Sequence, residues 1–218
     1  MNALIMACVC LVNISVLCGT KMDTNFENYL YTKKLNLNLD KMHFSWREMY
    51  GVIRDNFYGK EEHYGGQATM TTKLYSQYNC FMYPMYEFHE LYEEIRQCFH
   101  EVYGGNDKHY IQCWLNVYKK GEFIDWHKHW QAETNSWHGF YCADVGEDSY
   151  TDYKIPLNGE IKEIRVKSEN NLLVLGKSEN DMHRSSEWTH DSPRVTLAFD
   201  IVPRDYIGTQ WLNHWVPI

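Results

Sequence analysis

The chain has 218 residues, of which 44% are hydrophobic and 23% charged, so it can bury a sizeable core and is neither disordered nor fibrous. A formal net charge of −8 and a sequence pI near 5.7 argue against a general phosphate-binding surface, so we expect no nucleic-acid partner. Seven cysteines without a Cys-x-x-Cys pair indicate reduced thiols. We therefore expect a reducing compartment and a cytoplasmic protein.

Residues 1–21 form an apolar N-terminal extension of uncertain status. No basic residue precedes the apolar run, whereas a signal peptide normally begins with one. The run is also short for a membrane-spanning helix, which needs about 20 apolar residues. Two interpretations stay open. The extension is either upstream sequence read through before a true start at Met22, or a signal-like or anchoring segment.

Residues 22–104 are expected to form a mixed helical and strand region that packs on the core domain. The alternation of Leu35, Leu37 and Leu39 with polar residues predicts a half-buried strand. The aromatic-rich residues 64–83 fit a lid or a pocket wall, although aromatic residues more often pack in a core.

Two helices are predicted in this region. Ser45, followed three residues later by Glu48, is typical of a helix start, and Gly59 would end that helix. A second helix is predicted between Pro84 and Gly104. Its apolar residues recur at helical spacing, at Phe88, Leu91, Ile95, Phe99 and Val102.

After residue 104 the pattern changes to short strands separated by turns. Residues 105–207 are predicted to be a β-sandwich or barrel core, and residues 208–218 a C-terminal tail. About eight strands can close a jelly roll, so the predicted fold class is mainly β with N-terminal helices packed on the core. In the strand "YIQCWLNVY", Trp114, Asn116 and Tyr118 share one face. The opposite, apolar face is expected to contact the core.

The stretch "EFIDWHKHW" places His127 and His129 two residues apart in what we predict to be a strand, with Asp125 on the same face. Such side chains leave the sheet about 6.5 to 7 Å apart, so both imidazoles could reach one metal ion. A third ligand must come from elsewhere. His183, which follows the apolar strand "NLLVLG", is the candidate.

Arg194 follows eleven residues after His183 and opens the strand "RVTLAFDIV". Alternation places Arg194, Thr196, Ala198 and Asp200 on one face of that strand. A guanidinium with a hydroxyl beside it is therefore predicted to point off the sheet.

Together these residues resemble the iron(II)- and 2-oxoglutarate-dependent oxygenases, whose core is a double-stranded β-helix. The resemblance covers about residues 105–205 and implies that His127, His129 and His183 bind Fe(II). It also implies that Arg194 binds the far carboxylate of the co-substrate 2-oxoglutarate, and that Thr196 shares this carboxylate. Dioxygen would be the second co-substrate, and hydroxylation of a C–H bond the net reaction.

Upstream, Asn116 and Tyr118 resemble the Asn-x-Tyr segment of the nucleic-acid-dealkylating members of this family, which implies that both contact the co-substrate. Gly121 also stands at a matching distance before His127. No basic stripe flanks these residues, so the likeness does not extend to a nucleic-acid substrate. A small molecule, a peptide or a protein side chain all remain open as substrate. Homodimers are common in such folds, but the sequence does not show one.

The sequence departs from the family at position 129, where most members have Asp or Glu. The His-x-His strand is similar to that of microbial and phage-type members, and three neutral imidazoles leave the metal its full charge. Alternatively, His129 points away and Asp125 or Asp181 is the third ligand. His138 and His190 are expected to support ligands or to be structural.

Two other functions stay open. One is a cupin-like dioxygenase with three histidines and no 2-oxoglutarate, and the other is a non-catalytic jelly-roll binding protein. Arg194 favours the oxygenase, because only that chemistry has a dicarboxylate to anchor.

Overall fold

The computed structural model describes residues 30–59, 68–157, 159–178, 182–209 and 214–218. The predicted N-terminal extension, residues 1–21, lies outside these ranges. Within them, no helix is long and apolar enough to cross a bilayer.

The described residues form nine strands and two α-helices. The helices are α1 (Leu39–Phe57) and α2 (Tyr86–Tyr103). The strands are β1 (Leu30–Lys34), β2 (His109–Tyr118), β3 (Trp137–Asp144), β4 (Tyr150–Leu157), β5 (Glu160–Lys167), β6 (Leu172–Lys177), β7 (Met182–Ser185), β8 (Arg194–Pro203) and β9 (Val216–Pro217).

The strands form two antiparallel sheets. The larger sheet has the order β1-β6-β3-β8-β2-β9, and the smaller one has the order β5-β4-β7. Strands β2 and β8 pair along ten residues at the centre of the larger sheet. This arrangement confirms the prediction of a mainly β jelly roll with N-terminal helices. The thiols of Cys113 and Cys142 are buried and unpaired, as predicted, and burial raises the pKa of Cys142 to about 11.

Helix α1 and the preceding strand begin earlier than predicted. Asn38 caps the helix by accepting a 3.1 Å hydrogen bond from the Lys41 amide, so the predicted start at Ser45 is wrong. Ser45 is instead buried inside the helix, where its hydroxyl donates to Glu87 of α2 at 2.7 Å. The preceding strand ends at Lys34, and Leu35 lies in the connection to the helix.

Helix α2 matches its prediction closely. Phe88, Leu91, Ile95 and Phe99 are buried in the core shared with the larger sheet. The helix ends at Gly104, whose φ of 66° lies in the left-handed region that favours glycine.

A second glycine is required by the close approach of neighbouring strands. A Cβ at Gly139 of β3 would lie 2.2 Å from the Val174 carbonyl oxygen and 2.6 Å from the Phe199 ring. The central strands can therefore pack at this distance only with glycine here.

The segment around His127 is not the regular strand that the alternation predicts. Only one isolated bridge forms, in which His127 and His183 exchange backbone hydrogen bonds of 3.0 and 2.9 Å. The next backbone contact joins Ser185 to Ile124. Three residue steps from Ile124 to His127 thus oppose two from His183 to Ser185, as in a β-bulge that lies before His127.

Candidate metal centre and adjoining cavity

Three histidines meet between the two sheets. His127, His129 and His183 each offer a ring nitrogen, and these nitrogens lie within 4.8 Å of one another. Their ring centroids are 4.3 Å apart for His127 and His183, 5.3 Å for His127 and His129, and 5.1 Å for His129 and His183. Three convergent imidazoles are a ligand set suited to a first-row transition metal.

The backbone at His127 fixes how this imidazole is presented. Its Nδ1 lies 2.8 Å from the Asp125 carbonyl oxygen, which can only accept, so Nδ1 carries the proton and Nε2 offers a lone pair. Burial, with a further contribution from His129, lowers the pKa of His127 to about 4. Burial and the neighbouring imidazoles likewise hold the pKa of His183 well below its usual value. Both rings are therefore neutral near pH 7, as metal binding requires.

A carboxylate stands behind His129. Asp200 Oδ1 accepts from His129 Nδ1 at 2.5 Å, and Asp200 Oδ2 accepts from Trp130 Nε1 at 2.9 Å. The side chains of His129 and Asp200 are only 9% and 10% exposed, so solvent screens this pair little. A carboxylate that holds the outer nitrogen of a ligand histidine fixes the ring and makes it a stronger donor. Asp200 thus brings a negative charge to the side of the centre where the sequence has histidine instead of a carboxylate.

We expect Asp200→Asn to weaken metal binding by about 10- to 100-fold, the cost typical of losing such an outer partner. Asparagine removes the charge and keeps one acceptor oxygen for two donors. The measurement is the Kd of Mn(II), from its electron paramagnetic resonance signal. Asp55→Asn, on the exposed surface of α1, makes the same charge change away from the centre and is the control. Equal affinities of the two variants would contradict the role of Asp200.

Two carboxylates and two further histidines are the other candidates for a role at this centre. Asp125 is exposed, and its carboxylate accepts from the Trp126 amide at 2.7 Å, so it does not join the histidine group. Asp181 lies outside the described residues. His138 is buried on β3, with its ring 4.6 Å from His183 and 5.0 Å from His129. His190 lies apart, half-exposed near Asp148.

The three histidines and Arg194 line one cavity, which we call the Arg194 cavity. Arg194 is 1% exposed, and its guanidinium lies 4.8 Å from the centroid of the Tyr118 ring. Among the described residues, neither Nε nor Nη1 of this buried side chain has a hydrogen-bond acceptor. A buried cation with unused donors is costly unless an anion completes it. The cavity is therefore suited to a carboxylate.

Asn116 and Thr196 lie in the next row along β2 and β8. Asn116 Nδ2 donates to Thr196 Oγ1 at 3.4 Å, and the Thr72 hydroxyl donates to Asn116 Oδ1 at 2.6 Å. All three line the Arg194 cavity. The structure thus brings together every residue that the resemblance assigned to metal or co-substrate.

Sequence reasoning missed Thr72, Trp130 and a role for Asp200. For Asp200 a signal existed, because the alternation of β8 placed it on the Arg194 face. For Thr72, the run of threonines in "QATMTTK" lies within the segment considered as a lid or pocket wall, of which Thr72, Tyr75 and Ser76 line the two cavities while Leu74, Tyr78 and Cys80 pack in the core.

Comparison with protein-family models gives no match, and no curated protein matches at the sequence level. Solved structures do match. A Pseudomonas putida prolyl-4-hydroxylase has a TM-score of 0.51 at 14% identity, over 83% of this chain and 88% of its own. The fold is that of the iron(II)- and 2-oxoglutarate-dependent oxygenases.

Two further structures extend this likeness of the oxygenase fold. A Trichoplax adhaerens prolyl hydroxylase, in complex with a hypoxia inducible factor peptide fragment, has a TM-score of 0.55 at 9% identity, over 82% of this chain and 85% of its own. SnoK, an alpha ketoglutarate dependent carbocyclase from nogalamycin biosynthesis, has a TM-score of 0.57 at 12% identity, over 82% and 81%. At these identities the likeness establishes the oxygenase fold, and the phage-type subclass stays a prediction.

Proposed function

We propose that the protein is a non-haem iron oxygenase that couples oxidative decarboxylation of 2-oxoglutarate to hydroxylation of an organic substrate. In balanced form, substrate, 2-oxoglutarate and dioxygen give hydroxylated substrate, succinate and carbon dioxide. The observation that carries this proposal is the buried guanidinium of Arg194, whose Nε and Nη1 have no acceptor among the described residues, in a cavity that the three histidines also line.

The histidines fit Fe(II) as its protein ligands. His127 and His129 each have Nδ1 held by an oxygen, so Nε2 would be the nitrogen offered to the metal. The three imidazoles would hold Fe(II), and the iron, when bound, would supply the redox chemistry with 2-oxoglutarate and dioxygen. Three neutral imidazoles cancel none of the metal charge. The dianionic co-substrate and Asp200 behind His129 supply the balance.

Arg194 orients the co-substrate. A guanidinium offers two parallel donors to one carboxylate, and in a buried site this pair is screened little by solvent. Thr196 and Asn116, one row nearer the histidines, add polar contacts along the same floor. The diacid is thereby directed with one end at Arg194 and its keto acid end towards the histidines.

Anaerobic titration tests the proposal. We expect the protein with Fe(II) to develop a weak visible charge-transfer band when 2-oxoglutarate is added, and to release succinate once oxygen is admitted. Succinate in place of 2-oxoglutarate lacks the keto group and should give no band. A protein that binds iron but shows neither band nor succinate release would contradict the proposal, and would favour the three-histidine dioxygenase without 2-oxoglutarate. Product analysis then distinguishes hydroxylation from other oxidations, such as ring closure.

A further inference from the structure

Strands β2 and β8 form one floor beneath two cavities. Their register pairs Tyr118 with Arg194, Asn116 with Thr196, Trp114 with Ala198, and Gln112 with Asp200. Alternate residues share a face, so these pairs form four successive rows spaced about 6.8 Å apart. The first two rows line the Arg194 cavity, while Gln112 and Asp200 of the fourth row line the second.

The second cavity is a chamber open to solvent on the other side of His129. We call it the aromatic chamber, after the five rings in its wall: Tyr75, Trp114, Trp130, Tyr206 and Trp215. His129 and Trp114 line both cavities. A molecule in the aromatic chamber would therefore lie beside His129, one of the three histidines, without entering the space assigned to the diacid.

The rings in this wall support one another. Tyr75 meets Trp114 edge to face at 5.6 Å, and Trp130 meets Trp215 in the same way at 6.4 Å. Trp114 also stacks on His129 at 5.8 Å. Aromatic surfaces held by such contacts favour flat or ring-shaped ligands, which lose little freedom on stacking.

The charged groups in the wall are committed or lie in solvent. Both carboxylate oxygens of Asp200 accept hydrogen bonds, from His129 and Trp130. The other ionisable groups of the described wall are Lys128, which is exposed, and His214, which is half-buried, so the wall offers no further buried charge to an ionic ligand.

Gln112 gives the wall one specific polar group. Its Nε2 donates to the carbonyl oxygens of Tyr75 at 2.6 Å and Tyr78 at 3.3 Å. Two acceptors fix which end of the amide is nitrogen, so Oε1 is left as an acceptor. Gln112 is 4% exposed, and a ligand that donates to this oxygen gains a hydrogen bond shielded from solvent.

We propose that the aromatic chamber binds the organic substrate, and that this substrate is an uncharged small molecule with a flat ring system and an N–H or O–H donor. The assignment rests on the proposed function, because it is that chemistry which requires a substrate C–H bond beside the metal. The fourth row contacts the substrate, rows one and two hold the diacid, and Trp114 of the third row lies between the two ligands.

The probe for this assignment is 2-naphthol, which has two fused rings and one hydroxyl. It is added to protein loaded with Mn(II) and 2-oxoglutarate, and its proton relaxation is compared with that in the Zn(II)-loaded protein. We expect Mn(II) to broaden the bound probe strongly. We also expect 2-naphthol to bind about 2- to 10-fold more tightly than 2-methoxynaphthalene, which cannot donate, and more tightly than 2-naphthalenesulfonate, which is charged.

Two variants localise the probe. Trp215→Ala should lower the affinity for 2-naphthol by about tenfold, since a ring contact and apolar area are both lost. Gln112→Leu should remove the preference for 2-naphthol over its methyl ether. The matched control is Tyr86→Ala, which removes a 65% exposed ring on α2 and should change nothing.

The outcomes separate the two proposals. If 2-oxoglutarate binds but Mn(II) does not broaden 2-naphthol, or Trp215→Ala binds it normally, the chamber assignment is wrong and the proposed function stands. If the sulfonate binds best, the substrate class is wrong. If 2-oxoglutarate itself does not bind to the metal-loaded protein, both proposals fall.

Discussion

Replacing Arg194 by methionine is expected to weaken 2-oxoglutarate binding strongly without destabilising the protein. Loss of one partner from a buried charge pair costs about 2 to 5 kcal/mol, so the affinity should fall at least about 30-fold. In the protein without co-substrate, however, two guanidinium donors already lack described acceptors. Methionine removes this buried charge at similar volume, so the free energy of unfolding should stay the same or rise.

Calorimetric titration with 2-oxoglutarate and urea unfolding without it measure the two effects. The control is Arg165→Met, because Arg165 is 58% exposed and pairs with Asp152 at 2.7 and 3.1 Å. It should bind 2-oxoglutarate normally and lose a small amount of stability. Normal co-substrate affinity in Arg194→Met would remove the assigned role. A loss of several kcal/mol in stability would instead make Arg194 a structural residue.

This opposition between function and stability could be predicted only in part from the sequence. The alternation of β8 was sufficient to place Arg194 and Thr196 on one face, because a ten-residue strand with regular pairing leaves no freedom in its period. Whether Nε and Nη1 of Arg194 have an acceptor among the described residues depends on how the cavity is packed. No local sequence pattern predicts this.

For His127 and His129, alternation was a poor guide to the local structure. Their alternation suggested a regular strand, yet the segment pairs through an isolated bridge at His127, and the rings converge because β7 brings His183 against them. The convergence of the rings matches the expectation, the regular strand does not, and the role of the three histidines as metal ligands stays a prediction. The alternation of β8 placed Asp200 on the Arg194 face, but its partner His129 lies 71 residues away, a separation that no local pattern spans.

The start of α1 has a related explanation. Both Asn38 and Ser45 are residues that cap helices, so local preference alone does not choose between them. The structure has Asn38 as the cap, and the Ser45 hydroxyl instead donates to Glu87 of α2 from inside the helix.

Replacing His183 by alanine is expected to abolish metal binding. The ring lies closest to His127, at 4.3 Å, and its Nδ1 is buried without a described hydrogen-bond partner. Removing a direct ligand should cost more than the roughly 100-fold that loss of an outer partner costs. The measurement is again the Mn(II) Kd, with thermal unfolding to verify that the variant is folded.

The matched control is His138→Asn, which removes a buried imidazole from the same cluster. His138 lies 4.6 Å from His183 but outside the group whose ligand atoms all lie within 4.8 Å of one another. We therefore expect His138→Asn to keep the metal affinity within a fewfold of the wild type. If both variants lose the metal, His138 belongs to the ligand set. If only His138→Asn loses the metal, the metal is held by His138 of β3. Asp200, which pairs with His138 in register, then becomes a direct neighbour of the metal.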